Sequence, residues 1–529
     1  MSIKTILTHA GRNGWLTFAA LLLPFIAVIV FCIVSGVPDL ALEGDGALLE
    51  FSTRSTAAGG SFTGPYSRYG FHHPGPAYFF VRIPLYYLFG RSSSASYITV
   101  SLICMLCLAS VFLLLRKCGN RLMPVIFCLL AAIFLWSLKP VIWLNDWNPF
   151  VIIFPLLLTF VSFTAVAAGF HRYLPIAVAA GSFSVQTHIG SLPSVAATAV
   201  FAGVFLVIEF RKRSKKGVIP LDDSSVARSI LIASITAVIL WVPVLLHELT
   251  SGSGGNLPGI LRFFKESSPG LSMKRSFFIW VDAVSGMEGN LLSGEYLRRA
   301  GILFHVKGII LFLRVTLLFV CCTFLYRKKR TGFTLIAGCM LLLLHLTAFL
   351  SISQVRGEPH TYLFLWFSVL GLLSWTVILS SLAELSALFR SDKVSRWVVP
   401  ACTVIVFIFS ILNTASVWNK PSGSPYDPLS YHNGQVMVLG DSLSHYISTQ
   451  DDSGWVIIPA EHDLWPVMAG LVNSLDKEGW NVSVSPDFAF MTGIGPDVND
   501  TPLYLVPDSC SIPAGSGILF RYENILICR

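Results

Sequence analysis

The chain has 529 residues, of which 54% are hydrophobic and only 12% charged. Soluble domains carry about twice that charged share, which excludes a soluble globular protein. The net charge of +8 is no nucleic-acid footprint either, because Lys and Arg gather in short loops between apolar runs.

Those runs reach roughly 20 residues, each enough to cross a ~30 Å hydrocarbon core. They predict a polytopic α-helical membrane protein with about 11 transmembrane helices. The expected spans are about 15–37, 95–115, 121–138, 149–168, 173–187, 189–209, 229–249, 306–326, 331–352, 361–382 and 397–417. The first is too long for a signal-peptide core and reads as an uncleaved anchor.

Directly after it, Glu43-Gly-Asp-Gly-Ala-Leu-Leu-Glu50 opens a polar loop that runs through Gly64-Pro-Tyr-Ser-Arg68 to Phe71-His-His-Pro-Gly-Pro76. Carboxylates, an arginine and two histidines at a membrane face point to chemistry there. The alternative is a solvated loop and a capped helix over Gly46–Phe51, with Glu50 on the helix surface. The next stretch, 76–90, is apolar but short, holds Arg82 and is interrupted by Pro84. It is expected to lie in the membrane interface as a helix started by the Pro74-Gly-Pro76 turn.

With that helix left out of the count, four basic loops share a side with the N-terminus. They hold Arg116, Lys117 and Arg121; Arg211, Lys212, Arg213, Lys215 and Lys216; Arg327 to Arg330; and Arg390, Lys393 and Arg396. The positive-inside rule makes that side cytoplasmic. The Glu43–Pro76 loop (external loop 38–94 in all), the 250–305 loop and the tail are then extracytoplasmic, and the expected location is the inner (cytoplasmic) membrane.

Two domains are expected: 1–417 in the membrane and an extracytoplasmic α/β domain over 418–529. In the tail, strands are expected at Gln435–Gly440, Gly454–Pro459, Asn481–Ser485, Pro502–Val506 and Gly517–Arg521, with a helix between Leu464 and Lys477. Of the eleven cysteines only Cys510 and Cys528 fall in the tail. Pairing of those two is expected as a disulfide, although spacing alone does not establish it.

Order and sidedness together resemble the membrane-embedded glycosyltransferases of the C-type fold that use polyprenyl-phosphate sugars. That group includes protein O-mannosyltransferases and lipid A aminoarabinose transferases. The resemblance rests on Glu43-Gly-Asp45 after the first span and on His73-Pro-Gly-Pro76 leading into Tyr78-Phe79-Phe80. It covers roughly residues 1–210 and, more loosely, the later spans. His73 stands where such enzymes often carry lysine. The resemblance implies an inverting hexosyl- or pentosyltransferase with a polyprenyl-phosphate-linked sugar donor, the lipid bilayer and an extracytoplasmic glycan, lipid or protein acceptor as partners. The rival expectation is a transporter or lipid-linked glycan flippase without transferase activity. Against it, the chain shows no internal repeat and concentrates its polar groups at one face.

In such a reaction a carboxylate takes the proton of the acceptor hydroxyl, an effect worth about 10²–10⁴-fold. Asp45 is the expected base. Glu43 would assist it or, with Asp45, hold a divalent cation through oxygen ligands. The departing lipid phosphate needs donors already in place. Arg68, His72, His73 and Arg356 are the candidates, arginine offering a planar fork to phosphate. Zinc binding by the adjacent histidines is disfavoured, since neighbouring rings rarely aim at one ion. Asp146, Gln186, His188, Glu358 and His360 occupy other turns on the same expected face and are candidates for the cavity, each with an ordinary polar-turn reading beside it.

A competing motif is Gly440-Asp-Ser-Leu443 after an expected strand, which spells a serine-hydrolase signature with Ser442 as nucleophile. No histidine follows His462 to serve as its base, so the match is read as coincidence.

Overall fold

The computed structural model describes residues 14–60, 62–214, 224–251, 254–266, 270–292, 303–386, 392–418, 433–493 and 495–529. Lys215, Lys216 and Arg390 of the basic loops lie outside these residues. Among the described residues, nine helices are long and apolar enough to cross a membrane: Trp15–Val34, Ala95–Cys118, Asn148–Ala167, Ile189–Arg211, Ser225–Thr250, Leu303–Arg327, Phe333–Ser353, Leu365–Leu385 and Trp397–Trp418. The other two expected spans form the shorter helices Met123–Leu138 and Leu174–Thr187, of 16 and 14 residues. At ~1.5 Å per residue these reach about 24 and 21 Å, short of a full core. The protein is a polytopic α-helical membrane protein with a small C-terminal sheet domain.

The chain divides into two compact units. The first comprises Met1–Val30, Val100–Val242 and Glu266–Pro421. Its centre is the Ile153–Ala167 helix, in which every residue is buried. Leu174–Thr187 and Leu192–Ser214 pack on it. A Cβ at Gly181 would stand 3.0 Å from Val195 and 3.5 Å from Thr159, so glycine eases this close approach. Polar side chains fasten helices where apolar surroundings make an unpaired group costly. Asn413 donates to the Ala132 carbonyl at 3.1 Å, and the Thr17 and Thr403 hydroxyls meet at 2.7 Å.

The second unit comprises Phe31–Thr99, Pro243–Lys265 and Ser422–Arg529. A two-stranded hairpin, β1 (Tyr66–Ser67) and β2 (Phe71–His72), lies in its N-terminal part. Five strands form its sheet: β3 (Trp455–Pro459), β4 (Val482–Val484), β5 (Thr501–Pro507), β6 (Ile518–Tyr522) and β7 (Ile525–Cys528), in the order β4-β3-β5-β7-β6. β3 pairs parallel with β4 and β5, and β7 pairs antiparallel with β5 and β6. The Trp465–Glu478 helix makes the crossover from β3 to β4.

One expected strand is a helix. Residues 435–440 lie within Gly434–Ile447, capped by the Asn433 side chain, which accepts from the Val436 amide at 3.0 Å. Val436 and Val438 suggest alternation, but the buried positions are Val436, Leu439, Gly440, Leu443 and Ile447, the spacing of a helix face. Ser442 therefore sits in mid-helix, its hydroxyl donating to the Val438 carbonyl at 2.7 Å. That is no strand-to-helix elbow presenting a nucleophile.

The sheet does not build its core alone. Leu42, Ala47, Leu48 and Phe51 share one apolar cluster with Val436, Leu439, Leu471, Leu475, Ile457, Leu505 and Ile527. The Gly44–Ala57 helix lies on the Trp465–Glu478 helix, and each large side chain buried there contributes roughly 1.5–3 kcal/mol. A Cβ at Gly470 would press to 2.5 Å from the Leu42 carbonyl. The 76–90 segment forms the Ala77–Leu88 helix, 12 residues with Pro84 inside. At about 18 Å it does not span, and Phe80, Val81, Tyr87 and Leu88 are left exposed along it.

Cys510 and Cys528 carry free thiols, against the expected pairing. Cys528 is buried with Val506 and Leu526, and the Cys510 thiol donates to Glu461 Oε1 at 3.1 Å.

Candidate functional site

Within the second unit, the Gly44–Ala57 helix begins sharply. Glu43 at its N-cap is extended (φ −128°, ψ 169°), and Gly44 follows in the left-handed region at φ +52°. A Cβ at Gly44 would meet the Trp465 ring at an ordinary 3.4 Å, so it is the left-handed backbone that favours glycine there. Asp45 then falls in the first helical turn, half-buried, where the helix dipole and unpaired amides favour a negative charge.

The Tyr66 hydroxyl donates to Asp45 Oδ1 at 2.7 Å. Tyr66 itself is set by its ring contacts with Trp465 and Phe490, at centroid distances of 6.4 and 6.5 Å. Glu43 Oε2 accepts from the Asn433 amide, and Asn433 N donates to the Ala41 carbonyl at 3.0 Å. The residue that caps the Gly434–Ile447 helix thus also holds the entry to the Asp45 helix.

His72 faces Tyr66 across the hairpin. Its Nε2 lies 2.7 Å from the Phe490 carbonyl and its Nδ1 3.2 Å from the Gly64 carbonyl, so the ring is committed to the main chain. Burial pushes its pKa below the ordinary histidine value, with the two carbonyls acting the other way. Asn256 clamps the same strand. Its Oδ1 accepts from the His72 amide at 2.8 Å, and its amide group donates to the His72 and His73 carbonyls at 2.9 and 3.3 Å. His73 is buried against Phe71. Arg68 is exposed at the hairpin turn, its guanidinium 5.1 Å from the Tyr69 ring centre.

Glu50, expected on the helix surface, is fully buried. Its Oε1 accepts from Lys477 Nζ at 2.6 Å and from the Tyr86 hydroxyl at 2.8 Å, and its Oε2 from Ser93 Oγ at 2.7 Å. Arg54, one turn on, donates to Asp476 Oδ2 from Nη2 at 2.6 Å and from Nε at 2.8 Å, and to Asn473 Oδ1 at 3.0 Å. Lys477 also reaches Asp39 Oδ1 at 2.6 Å. The i,i+4 spacing of Glu50 and Arg54 was the one sequence signal for this network. Nothing in sequence marks Tyr66 as the partner of Asp45.

In the first unit the other candidates occupy turns that meet one another. The Trp147 ring, next to Asp146, packs on Tyr362 at 4.6 Å, and Tyr362 stacks on His360 at 5.6 Å. His188 is buried against Trp366, 4.6 Å between centroids, with its Nδ1 accepting from the Gly190 amide at 3.2 Å. Gln186 donates to the Leu240 carbonyl at 2.8 Å. Glu358 is exposed and pairs with the equally exposed Arg275 at 3.1 Å. Arg356, two residues earlier, is half-buried. Among the described residues no group of three or more His, Cys, Asp or Glu side chains converges as a metal site. A divalent cation at Glu43 and Asp45 would take its remaining oxygen ligands from substrate and water.

The sequence matches no protein-family model and no curated protein. Its fold does match solved structures. The crystal structure of ArnT from Cupriavidus metallidurans bound to undecaprenyl phosphate aligns with a TM-score of 0.56, at 12% identity, over 98% of both chains. The apo state of the same protein aligns at 0.55, also at 12% identity, over 95% of this chain and 96% of that one. The Archaeoglobus fulgidus oligosaccharyltransferase in its apo form aligns at 0.46 and 12% identity, over 94% of this chain and 70% of that one. The chain is thus similar in fold to ArnT from end to end.

Proposed function

We propose that this chain transfers a sugar from a polyprenyl-phosphate donor to an extracytoplasmic glycan, lipid or protein acceptor, with inversion at the anomeric carbon. The observation that carries the reading is the end-to-end fold likeness to a protein crystallised with undecaprenyl phosphate. The Asp45 geometry supports it.

The acceptor hydroxyl gives its proton to Asp45 as its oxygen bonds to the anomeric carbon. The bond from that carbon to the phosphate oxygen breaks, and the lipid phosphate leaves with the electron pair. Tyr66 holds one carboxylate oxygen, so the base meets the hydroxyl in a fixed orientation. Arg68 and His73, both in the second unit, are the groups we assign to the phosphate. His72 fastens the hairpin that carries Arg68. The N-terminus and the basic loops face the cytoplasm in this reading, and the hairpin and sheet lie outside.

The test is transfer by purified protein in lipid nanodiscs, given radiolabelled polyprenyl-phosphate sugars and an envelope extract as acceptor. Label appearing in the acceptor, and lost in Asp45→Asn, supports the reading. Translocation of the lipid-linked sugar in liposomes without transfer would establish the transporter or flippase instead.

A further inference from the structure

The Gly44–Ala57 helix is held from behind. Counting ~100° per residue, Arg54 lies about 180° around the helix axis from Asp45, and Glu50 about 140°. Both are buried and bonded to the Trp465–Glu478 helix, while Asp45 is half-buried on another side. The apolar contacts of Ala47, Leu48 and Phe51 press the helix onto its neighbour, but apolar contact is non-directional and does not by itself fix roll. The charged groups do. Two cations, Arg54 and Lys477, meet three carboxylates, Glu50, Asp39 and Asp476, with Tyr86 and Ser93 satisfying the remaining positions on Glu50.

We propose that Lys477, with Asp476, is a positioning element for the reaction: the sheet domain sets the roll of the helix and thereby the direction of the Asp45 carboxylate. The sheet domain is then part of the catalytic apparatus, acting through Glu50 and Arg54 rather than by touching substrate. This inference rests on the reading of Asp45 as the base. Its reach is physical, because a misplacement of ~1 Å at a reacting group costs about 10²-fold in rate, and Glu50 is only about 7.5 Å along the axis from Asp45.

The experiment uses the full chain in nanodiscs and compares Lys477→Met, which keeps length without charge, with Lys477→Arg. Three quantities are read: kcat and donor KM for transfer, binding of undecaprenyl phosphate alone, and amide hydrogen exchange by peptide. Positioning requires Lys477→Met to lose kcat by about tenfold or more, with donor KM and lipid-phosphate binding within about twofold. It also requires faster exchange across residues 45–49 while β3 and β5 stay protected, and recovery in Lys477→Arg. Wild-type kcat in Lys477→Met, or unchanged exchange at 45–49, overturns the proposal. So does a loss of activity matched by faster exchange through the whole sheet, which is a folding defect. Should Lys477→Met not fold, Asp476→Asn must give the same signature. If the wild type transfers no sugar, the proposed function fails, yet the exchange at 45–49 still decides whether Lys477 fixes this helix.

Discussion

Asp45 and Tyr66 stand 21 residues apart in the chain and share a 2.7 Å hydrogen bond. One is in the first turn of a helix and the other on the first strand of a hairpin, so the bond joins two elements with no register between them. Hydrogen bonds to charged groups contribute about 1.5–3 kcal/mol. Tyr66→Phe keeps the ring against Trp465 and Phe490 and removes only that donor. Transfer should fall about ten- to hundredfold with lipid-phosphate binding retained, as read from kcat and KM with labelled donor.

Asp45→Asn keeps size and removes the proposed base. Turnover should fall at least about a hundredfold with donor binding largely kept. Near-normal turnover would move the base to Glu43 or out of this segment.

Glu50→Ala would take a fully buried carboxylate from Lys477, which keeps Asp39, and from Arg54, which keeps Asp476. Removing one partner of a buried ion pair costs up to about 3–5 kcal/mol, and the remaining partners offset part of it. Thermal unfolding in detergent should show a clear fall in midpoint, larger than that of Ser442→Ala. The latter removes a hydroxyl bonded only within its own helix turn and should leave stability within ~0.5 kcal/mol and transfer unchanged.

The His72 pKa lies below that of the unfolded chain, ~6.5. Below ~6.5 the unfolded chain therefore binds a proton that the folded one does not. The contribution of His72 is full above that pH and declines as pH falls toward the folded pKa. Melting midpoints from pH 8 to 5 should drop more steeply in wild type than in His72→Asn. Parallel curves would show that the ring does not titrate with folding.

Orientation is tested by labelling from outside in a Cys510→Ser background. Cysteines placed at Ser272 and Asp451, both exposed, should react, and one at Arg330 should not. Labelling of Arg330→Cys would invert the assigned sides.

Nine of the eleven expected spans and the strands at 454–459, 481–485, 502–506 and 517–521 were legible because apolar length and alternation are local signals, whereas the helices at 123–138 and 174–187 proved too short to cross. The 435–440 segment was misread because Val436-Met-Val438 alternates over too short a stretch to compete with the Asn433 cap. Asp45 could be picked from its place after the first span. Tyr66, Lys477 and Asp476 could not, since their partners are set by tertiary contact across 21, 427 and 422 residues. Glu50 looked like a surface carboxylate for the same reason. Its counter-charge comes from the other end of the chain.

The shared cluster of Leu42, Ala47, Leu48 and Phe51 with Ile457, Leu505 and Ile527 has a consequence for biosynthesis. At about 5–20 residues per second, the ribosome needs roughly 20–80 seconds to pass from Phe51 to Ile457. Throughout that interval the Asp45 helix lacks most of the surface it packs on, and its Arg54 and Glu50 lack Asp476 and Lys477. The Asp45 helix therefore gains its full packing only after the last strands have emerged. A chain truncated before β7 lacks Ile525 and Ile527 and leaves the core around the Asp45 helix incomplete.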